Sequence, residues 1–130
     1  MTKEMLSEID QLIRRLGLTK SEATSDTSIP IQCALPLDDA DYREIVLEFV
    51  DQLDRRLLRI LSLIENEAYD ELCDEAHWLK GCGGTVGYDP FTEPSIDLMQ
   101  AARARKRHDC QVALANILDV RKRIVIPPRD

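Results

Sequence analysis

Through most of the chain, apolar residues recur every three or four positions, the period of an amphipathic helix. Met5, Leu6, Ile9, Leu12, Ile13 and Leu16 form one such stripe, ended by Gly17. It predicts a short N-terminal helix that needs a surface to lie on. Residues 18–38 lose the pattern, with Ser, Thr and Asp up to Asp26 and then Pro30 and Pro36. That stretch reads as a linker or a wrapped arm, and a compact domain is expected to begin near Ile29. From about Asp39 the period returns in Tyr42, Ile45, Val46, Phe49, Val50, Leu53, Leu57, Leu61 and Ile64. Arg43, Glu44, Glu48, Asp51, Arg55 and Arg59 lie opposite, giving a long helix with one core face and one solvent face. A second helix, from 67 to about 84, buries Tyr69, Leu72, Ala76 and Leu79, with Val86 at its edge, and runs into glycines at 81, 83, 84 and 87. Asp89 and Pro90 suit the cap and first position of a third helix. Pro94 would remove a ladder hydrogen bond beyond the first turn, which moves the regular start towards Glu93. That helix carries Ile96, Leu98, Ala101 and Ala102 to about Lys106. The last helix is expected from Asp109, as cap, through Val112, Ala113, Leu114, Ile117, Leu118 and Val120. Arg121, Lys122 and Arg123 would stand at the negative end of its dipole, and Pro127-Pro128 closes it.

No segment shows sustained period-2 alternation, so the fold class is all-α. Short connections make it an antiparallel up-down four-helix bundle over residues 29–126, with the additional N-terminal amphipathic helix and its polar linker in residues 1–28. Six apolar residues are too few for an independent coiled coil. The N-terminal helix is therefore expected to fold back and cap the bundle, with dimerisation as the alternative, and a monomer is the favoured state.

The chain has 130 residues, enough for one domain, and 17 Lys+Arg against 24 Asp+Glu give a net charge of −7. Such an acidic balance disfavours a nucleic-acid binder, and no apolar run is long enough for a membrane span. Cys33, Cys73, Cys82 and Cys110 form no C-x-x-C pair, and two of them share one predicted helix. They read as free thiols in a reducing cytoplasm, without a metal site. The start carries no signal-peptide pattern, which agrees with a cytoplasmic location.

Candidate chemistry sits in Ala76-His77-Trp78-Leu79-Lys80-Gly81. A lone helical histidine is ordinary, but Ala76 and Leu79 on the buried face turn His77 outward. Cys73, Asp74, Lys80, Gly81 and Gly84 then surround it at helical spacings of three, four and seven. Neutral imidazole has a free lone pair and can attack a phosphorus centre without an activating base. Lys80, one turn on, can bring its charge to phosphoryl oxygens. Gly81 costs about 1 kcal/mol against Ala in a helix, which is explained either by a fraying end or by the need for a second protein to approach the imidazole. Trp78 is either a rim contact for partners or a flank of the core. His108, between Arg107 and Asp109, reads as surface in a turn before the last helix, and the basic cluster from Arg103 to His108 is weak evidence for anion or nucleic-acid contact. No phosphate-binding glycine loop and no acidic cluster for magnesium are present, so the chain has no ATP-dependent kinase activity of its own and a phosphoryl group must come from another protein.

The run His77-Trp78-Leu79-Lys80-Gly81-Cys82-Gly83-Gly84-Thr85-Val86-Gly87, followed by Phe91, Leu98 and Ala102-Arg103, resembles the H-x-L-K-G-x-x-x-x-x-G signature of histidine-containing phosphotransfer (HPt) domains of bacterial multistep phosphorelays. The stretch from Asp41 to Phe49 is similar to the helix that precedes it, and the resemblance spans about residues 30–120. It implies a four-helix bundle in which His77 accepts a phosphoryl group from a receiver-domain aspartate and passes it to another. Lys80 would match the charge-stabilising lysine and Gly81 the access-giving glycine. Receiver domains of hybrid sensor kinases and response regulators are the implied partners, docking over Gly81, Gly84, Cys73, Asp74 and Trp78. The resemblance implies no cofactor here, with magnesium on the receiver. Many members carry a glutamine that hydrogen-bonds the imidazole; Met99 stands at the matching position and cannot, while Gln100 lies about 100° around the helix. Arg103 matches a position that is basic in some members, and either supports the phosphoryl site or partner docking, or belongs to a solvated basic face. The rival reading is a helical adaptor that docks receivers without carrying phosphate.

Overall fold

A computed structural model describes residues 30–128. The expected N-terminal helix and the rest of the 1–28 segment lie outside the described residues. Those described contain four α-helices, α1 (Ala40–Glu65), α2 (Tyr69–Thr85), α3 (Thr92–Arg103) and α4 (Arg107–Arg123), and a 3-10 turn at Asp89–Phe91. Contacts between helices run in opposing order: Arg56 and Arg59 of α1 meet Glu75 and Glu71 of α2, and Gly84 and Cys73 of α2 meet Thr92 and Met99 of α3. Neighbouring helices are therefore antiparallel, as the short connections predicted.

Asp39 caps α1 through its carboxylate, which accepts from the Asp41 amide at 2.8 Å. From Val46 onward the apolar stripe of α1 is buried, with Val46, Leu53 and Ile64 fully so. Tyr42 and Ile45, expected in the core, are instead 38% and 48% exposed. The periodicity begins with the helix, but the helix begins before the bundle that covers its stripe.

The helix ends depart from the sequence reading for one shared reason. Each of α1, α2 and α3 ends in a Schellman pattern, in which two amides reach back across a left-handed residue. At α1 the Glu67 and Ala68 amides bond the Ile64 and Leu63 carbonyls; at α3 the Arg105 and Lys106 amides bond those of Ala102 and Ala101. The left-handed residue is Glu67 (φ 55°) in the first case and Arg105 (φ 55°) in the second, where glycine is usual. Only α2 uses glycine, at Gly87 (φ 90°). The other three glycines of the cluster lie within α2 rather than ending it. Because Arg105 reverses the chain early, α3 stops at Arg103, short of Lys106. His108 and Asp109 then fall in the first turn of α4, not in a preceding turn with Asp109 as cap.

Arg121 corrects the reading of the last helix. It is not a solvated cation at the dipole's negative end but a buried one, gripping Asp54 of α1 through two bonds of 2.7 and 3.1 Å, with side chains 4% and 1% exposed. This planar pair locks α1 to α4. Arg123 likewise pairs with Asp119 one turn back at 3.1 Å.

Both ends of the described chain converge where α2 finishes. Ile31 bridges Ile124 in parallel, the Ala34 amide donates to the Gly87 carbonyl at 2.9 Å, and the Cys33 thiol donates to the Val86 carbonyl. A Cβ on Gly87 would meet the Ala34 nitrogen at 2.7 Å, so both the turn and this close approach require glycine. Tyr88, fully buried next door, donates its hydroxyl to the Val125 carbonyl at 2.7 Å. The wrapped arm anticipated before residue 38 is thus a strap that ties the chain ends to the loop after α2.

Two outcomes are expected. Arg121→Gln should cost about 3–5 kcal/mol by stranding the Asp54 carboxylate, and Asp54→Leu with Arg121→Met should recover most of it, as chemical denaturation of both variants will show. Burial pushes the Tyr88 phenol up from 10.0 to about 12, with Cys33 adding to the rise and Arg121 opposing it. A raised acid stabilises the fold fully below its unfolded pKa, and that share is lost as pH climbs through the folded one. Melting temperature should therefore fall between about pH 10 and pH 12, with a shallower fall in Tyr88→Phe.

Candidate functional site

Helix α2 divides its faces sharply. Leu72, Ala76 and Leu79 are fully buried and Gly83 packs inward, while His77, Lys80 and Gly81 are exposed. His77 thus stands on the outer face, with Lys80 one turn further along. No described residue hydrogen-bonds the imidazole or pairs with the Lys80 ammonium. Asp74 is exposed beside them, and Cys73 and Trp78 are half-buried.

The helix is braced from its inner side by charges that the sequence reading did not pick out. Glu75, almost covered, takes Arg56 at 2.8 Å and Arg59 at 3.3 Å, and Arg59 also reaches Glu71 at 3.0 Å. The signal was present as Arg56 and Arg59 three apart opposite Glu71 and Glu75 four apart, legible only once α1 and α2 are known to pair. Trp78 lies in the same groove. Its ring stacks on Phe49 at 5.7 Å, and the Arg56 guanidinium sits 4.1 Å from its centroid. Trp78 thus flanks the core and keeps part of its surface exposed.

The glycines around His77 have separable reasons. A Cβ at Gly81 would meet nothing within 4 Å, so no internal contact requires glycine there. At Gly83 it would lie 2.9 Å from the Phe91 Cβ, so glycine there admits the aromatic ring that packs beneath the site. At Gly84 it would make ordinary contacts of 3.7 Å with Asp89 and 3.9 Å with Thr92. Gly81 alone opens the surface beside His77, and Gly84 lies partly covered at its rim. The last turn is held by Thr85, whose hydroxyl donates to the Gly81 carbonyl at 2.8 Å.

Across from α2, the Met99 carbonyl accepts the Cys73 thiol at 3.7 Å. Gln100 is exposed and lines a groove of about 370 Å³ towards α4, turned away from α2. Since α3 runs antiparallel to α2, Arg103 lies one turn beyond Met99 while His77 lies one turn the other way from Cys73. The axial offset between Arg103 and His77 is therefore about two turns, roughly 11 Å. Arg103 does not join Lys80 beside the imidazole. His108 is exposed at the start of α4, in the same basic turn.

Four free thiols and no cluster of three or more metal-ligating side chains occur among the described residues. Burial pushes the Cys110 thiol up to about 11, helped by Asp109 and Cys73. No described helix is long and apolar enough to cross a membrane.

The family model described as Hpt domain matches residues 44–124. The chain belongs to the Hpt domain family. The match begins inside α1 and runs to the end of α4, so it takes in all of the bundle but the first turn of α1 and leaves the Ile31–Ala34 strap and residues 1–28 outside. Hpt domains serve histidine phosphotransfer in phosphorelays, where they meet receiver domains. Comparison with curated proteins and with solved structures gave no match.

The separable glycines give a direct test. Gly81→Ala should stabilise the Hpt fold by up to about 1 kcal/mol, because its methyl enters open space and helix propensity improves. Gly83→Ala should destabilise it, since overpacking against Phe91 costs about 1–3 kcal/mol and outweighs the same gain. Thermal melts of the two variants should move in opposite directions.

Proposed function

We propose that His77 is the phosphoacceptor of a two-component phosphorelay, taking a phosphoryl group from a receiver-domain aspartate and passing it to another receiver. The observation that carries this reading is the exposed imidazole with Lys80 one turn on and open space over Gly81. The unit that acts is residues 29–126, working as a cytoplasmic monomer with residues 1–28 appended.

The chemistry follows from what the face offers. A ring nitrogen of neutral His77 attacks the phosphorus of the aspartyl phosphate, forming an N–P bond as the acyl P–O bond breaks and the aspartate leaves as carboxylate. The ring proton stays on the other nitrogen and can then pass to water. Lys80 offsets charge on the phosphoryl oxygens, and Gly81 lets the partner's backbone approach. Magnesium held by the receiver supplies the remaining charge neutralisation. Running the same step backwards onto a second receiver completes the relay.

Incubation with a phosphorylated receiver should place acid-labile, base-stable label on the chain, and His77→Gln should abolish it. Label persisting undiminished in that variant would sink the assignment. Lys80→Ala should slow transfer by about 10- to 100-fold, less than the 10²–10³ of a buried oxyanion donor because Lys80 is open to water. Met99 in place of a hydrogen-bonding group favours one rival, an adaptor that docks receivers without transfer. It predicts receiver binding that His77→Gln leaves unchanged and no label on the wild type.

A further inference from the structure

Resting on the phosphotransfer reading, we propose that the turn between α3 and α4 is an electrostatic docking site for an acidic receiver domain, setting how the receiver lies across His77. Arg103, Arg105, Lys106 and Arg107 are all exposed there. Their clustering is set against a chain whose net charge is −7. Most other cations of the described fold are engaged internally: Arg56 and Arg59 with glutamates, Arg121 and Arg123 with aspartates, and Arg43 with the Leu37 carbonyl. Within the turn, Arg103, Lys106 and Arg107 have no acidic partner among the described residues. Arg105 is held in a left-handed conformation with its guanidinium 5.8 Å from the Tyr69 ring centroid, which fixes the turn against α2.

Arg103 suits the negative end of α3 and Arg105 packs on Tyr69, but Lys106 and Arg107 gain nothing from α4. Lys106 is the N-cap of α4 and makes no side-chain capping bond, and Arg107 opens the first turn. Both stand at the positive end of the helix dipole, where cations are repelled and an Asp or Ser would be favoured. Fold stability therefore does not account for them, and a partner does. The partner's chemistry follows from its role: the reacting face of a receiver carries the phosphoacceptor aspartate and the carboxylates that hold magnesium. Two acidic proteins must overcome mutual repulsion to meet, and a cationic end on one of them supplies both attraction and direction.

The distances fit one interface. An interface burying about 800 Å² per partner is a patch about 16 Å in radius, so a receiver centred on His77 reaches the Tyr69 end of α2, about 12 Å along that helix, where the Arg105 guanidinium lies. At the opposite end of the bundle, where α1 begins, Asp41, Glu44 and Glu48 are exposed beside Tyr42 and Ile45. The bundle is thus basic at one end and acidic at the other, and an acidic partner has one favourable orientation.

The test measures both binding and transfer, using the receiver domains of the source organism and the full chain with Lys106→Gln and Arg107→Gln together. The variant's dissociation constant for the receiver that binds wild type most tightly should rise about three- to tenfold at low salt, with the difference vanishing in 0.5 M salt. The receiver concentration giving half-maximal labelling of His77 should rise in parallel, and melting temperature should hold or increase. Unchanged binding, a loss seen only in the rate at saturating receiver, or a fall in melting temperature without a binding change would each overturn the proposal. So would variant-sensitive binding of the wild type to phosphatidylserine vesicles or single-stranded RNA in place of receivers. Salt-sensitive, variant-sensitive receiver binding without label on His77 would uphold the docking site while removing the phosphotransfer reading.

Discussion

Everything around His77 depends on α2 remaining helical through Gly81, Gly83 and Gly84. Helix propensity alone works against that by about 1 kcal/mol for each glycine. Phe91 offsets it: its ring is fully buried against Gly83, and burial of one such side chain is worth about 1.5–3 kcal/mol. Phe91 meets Phe49 and Tyr88 edge-on at 6.1 and 6.4 Å, and Phe49 stacks on Trp78. Four of the chain's six aromatic side chains are therefore spent beneath the last turns of one helix. The glycine that costs most in local propensity, Gly83, is also the one that admits the ring restoring the balance.

The same end of α2 is where the rest of the chain is tied in. Gly87 reverses the backbone, the strap from Ile31 to Ala34 lies against that reversal, and Tyr88 holds the C-terminal segment through Val125. The opposite end is held by charge, with Glu71 and Glu75 clasped by Arg56 and Arg59. The helix carrying His77 is fixed at both ends and along its inner face, while its outer face makes no internal demands. Rigidity and accessibility are compatible because they are assigned to different sides of one helix.

Much of this was legible in the chain itself. The 3.6-residue stripes identified all four helices, and Ala76 and Leu79 were enough to turn His77 outward. The boundaries were not legible, because Glu67 and Arg105 occupy left-handed positions that a reader assigns to glycine, and the actual glycines lie mid-helix. Arg121 was misjudged because a cation in a last turn looks the same whether it faces water or an aspartate 67 residues away. Tyr42 and Ile45 belong to the right stripe yet outrun the bundle, a fact about the length of neighbouring elements rather than about α1. At the site, residue types were readable but not their distribution. Only the packing separates Gly81, with nothing near it, from Gly83, with Phe91 against it, and moves Arg103 away from Lys80.

For a carrier, the openness of the site has an energetic meaning. A buried imidazole flanked by several fixed donors would hold a phosphoryl group far more strongly than water does, and would be slow to give it up. His77 and Lys80 are both exposed, so their mutual electrostatics are screened and worth little in either phosphorylation state. On the proposed function, neither state would then be strongly preferred by this chain, which is what reversible exchange between two receivers requires. The large electrostatic stabilisation of the transition state has to be assembled at the interface, where the partner excludes water and brings its own metal. Met99 fits the same logic: its thioether adds no hydrogen bond to the imidazole, so orientation of the ring is left to the docked complex. On the proposed function, the chain's contribution to rate is the Lys80 charge together with positioning, through a stiff α2, a gap over Gly81 and the basic turn between α3 and α4.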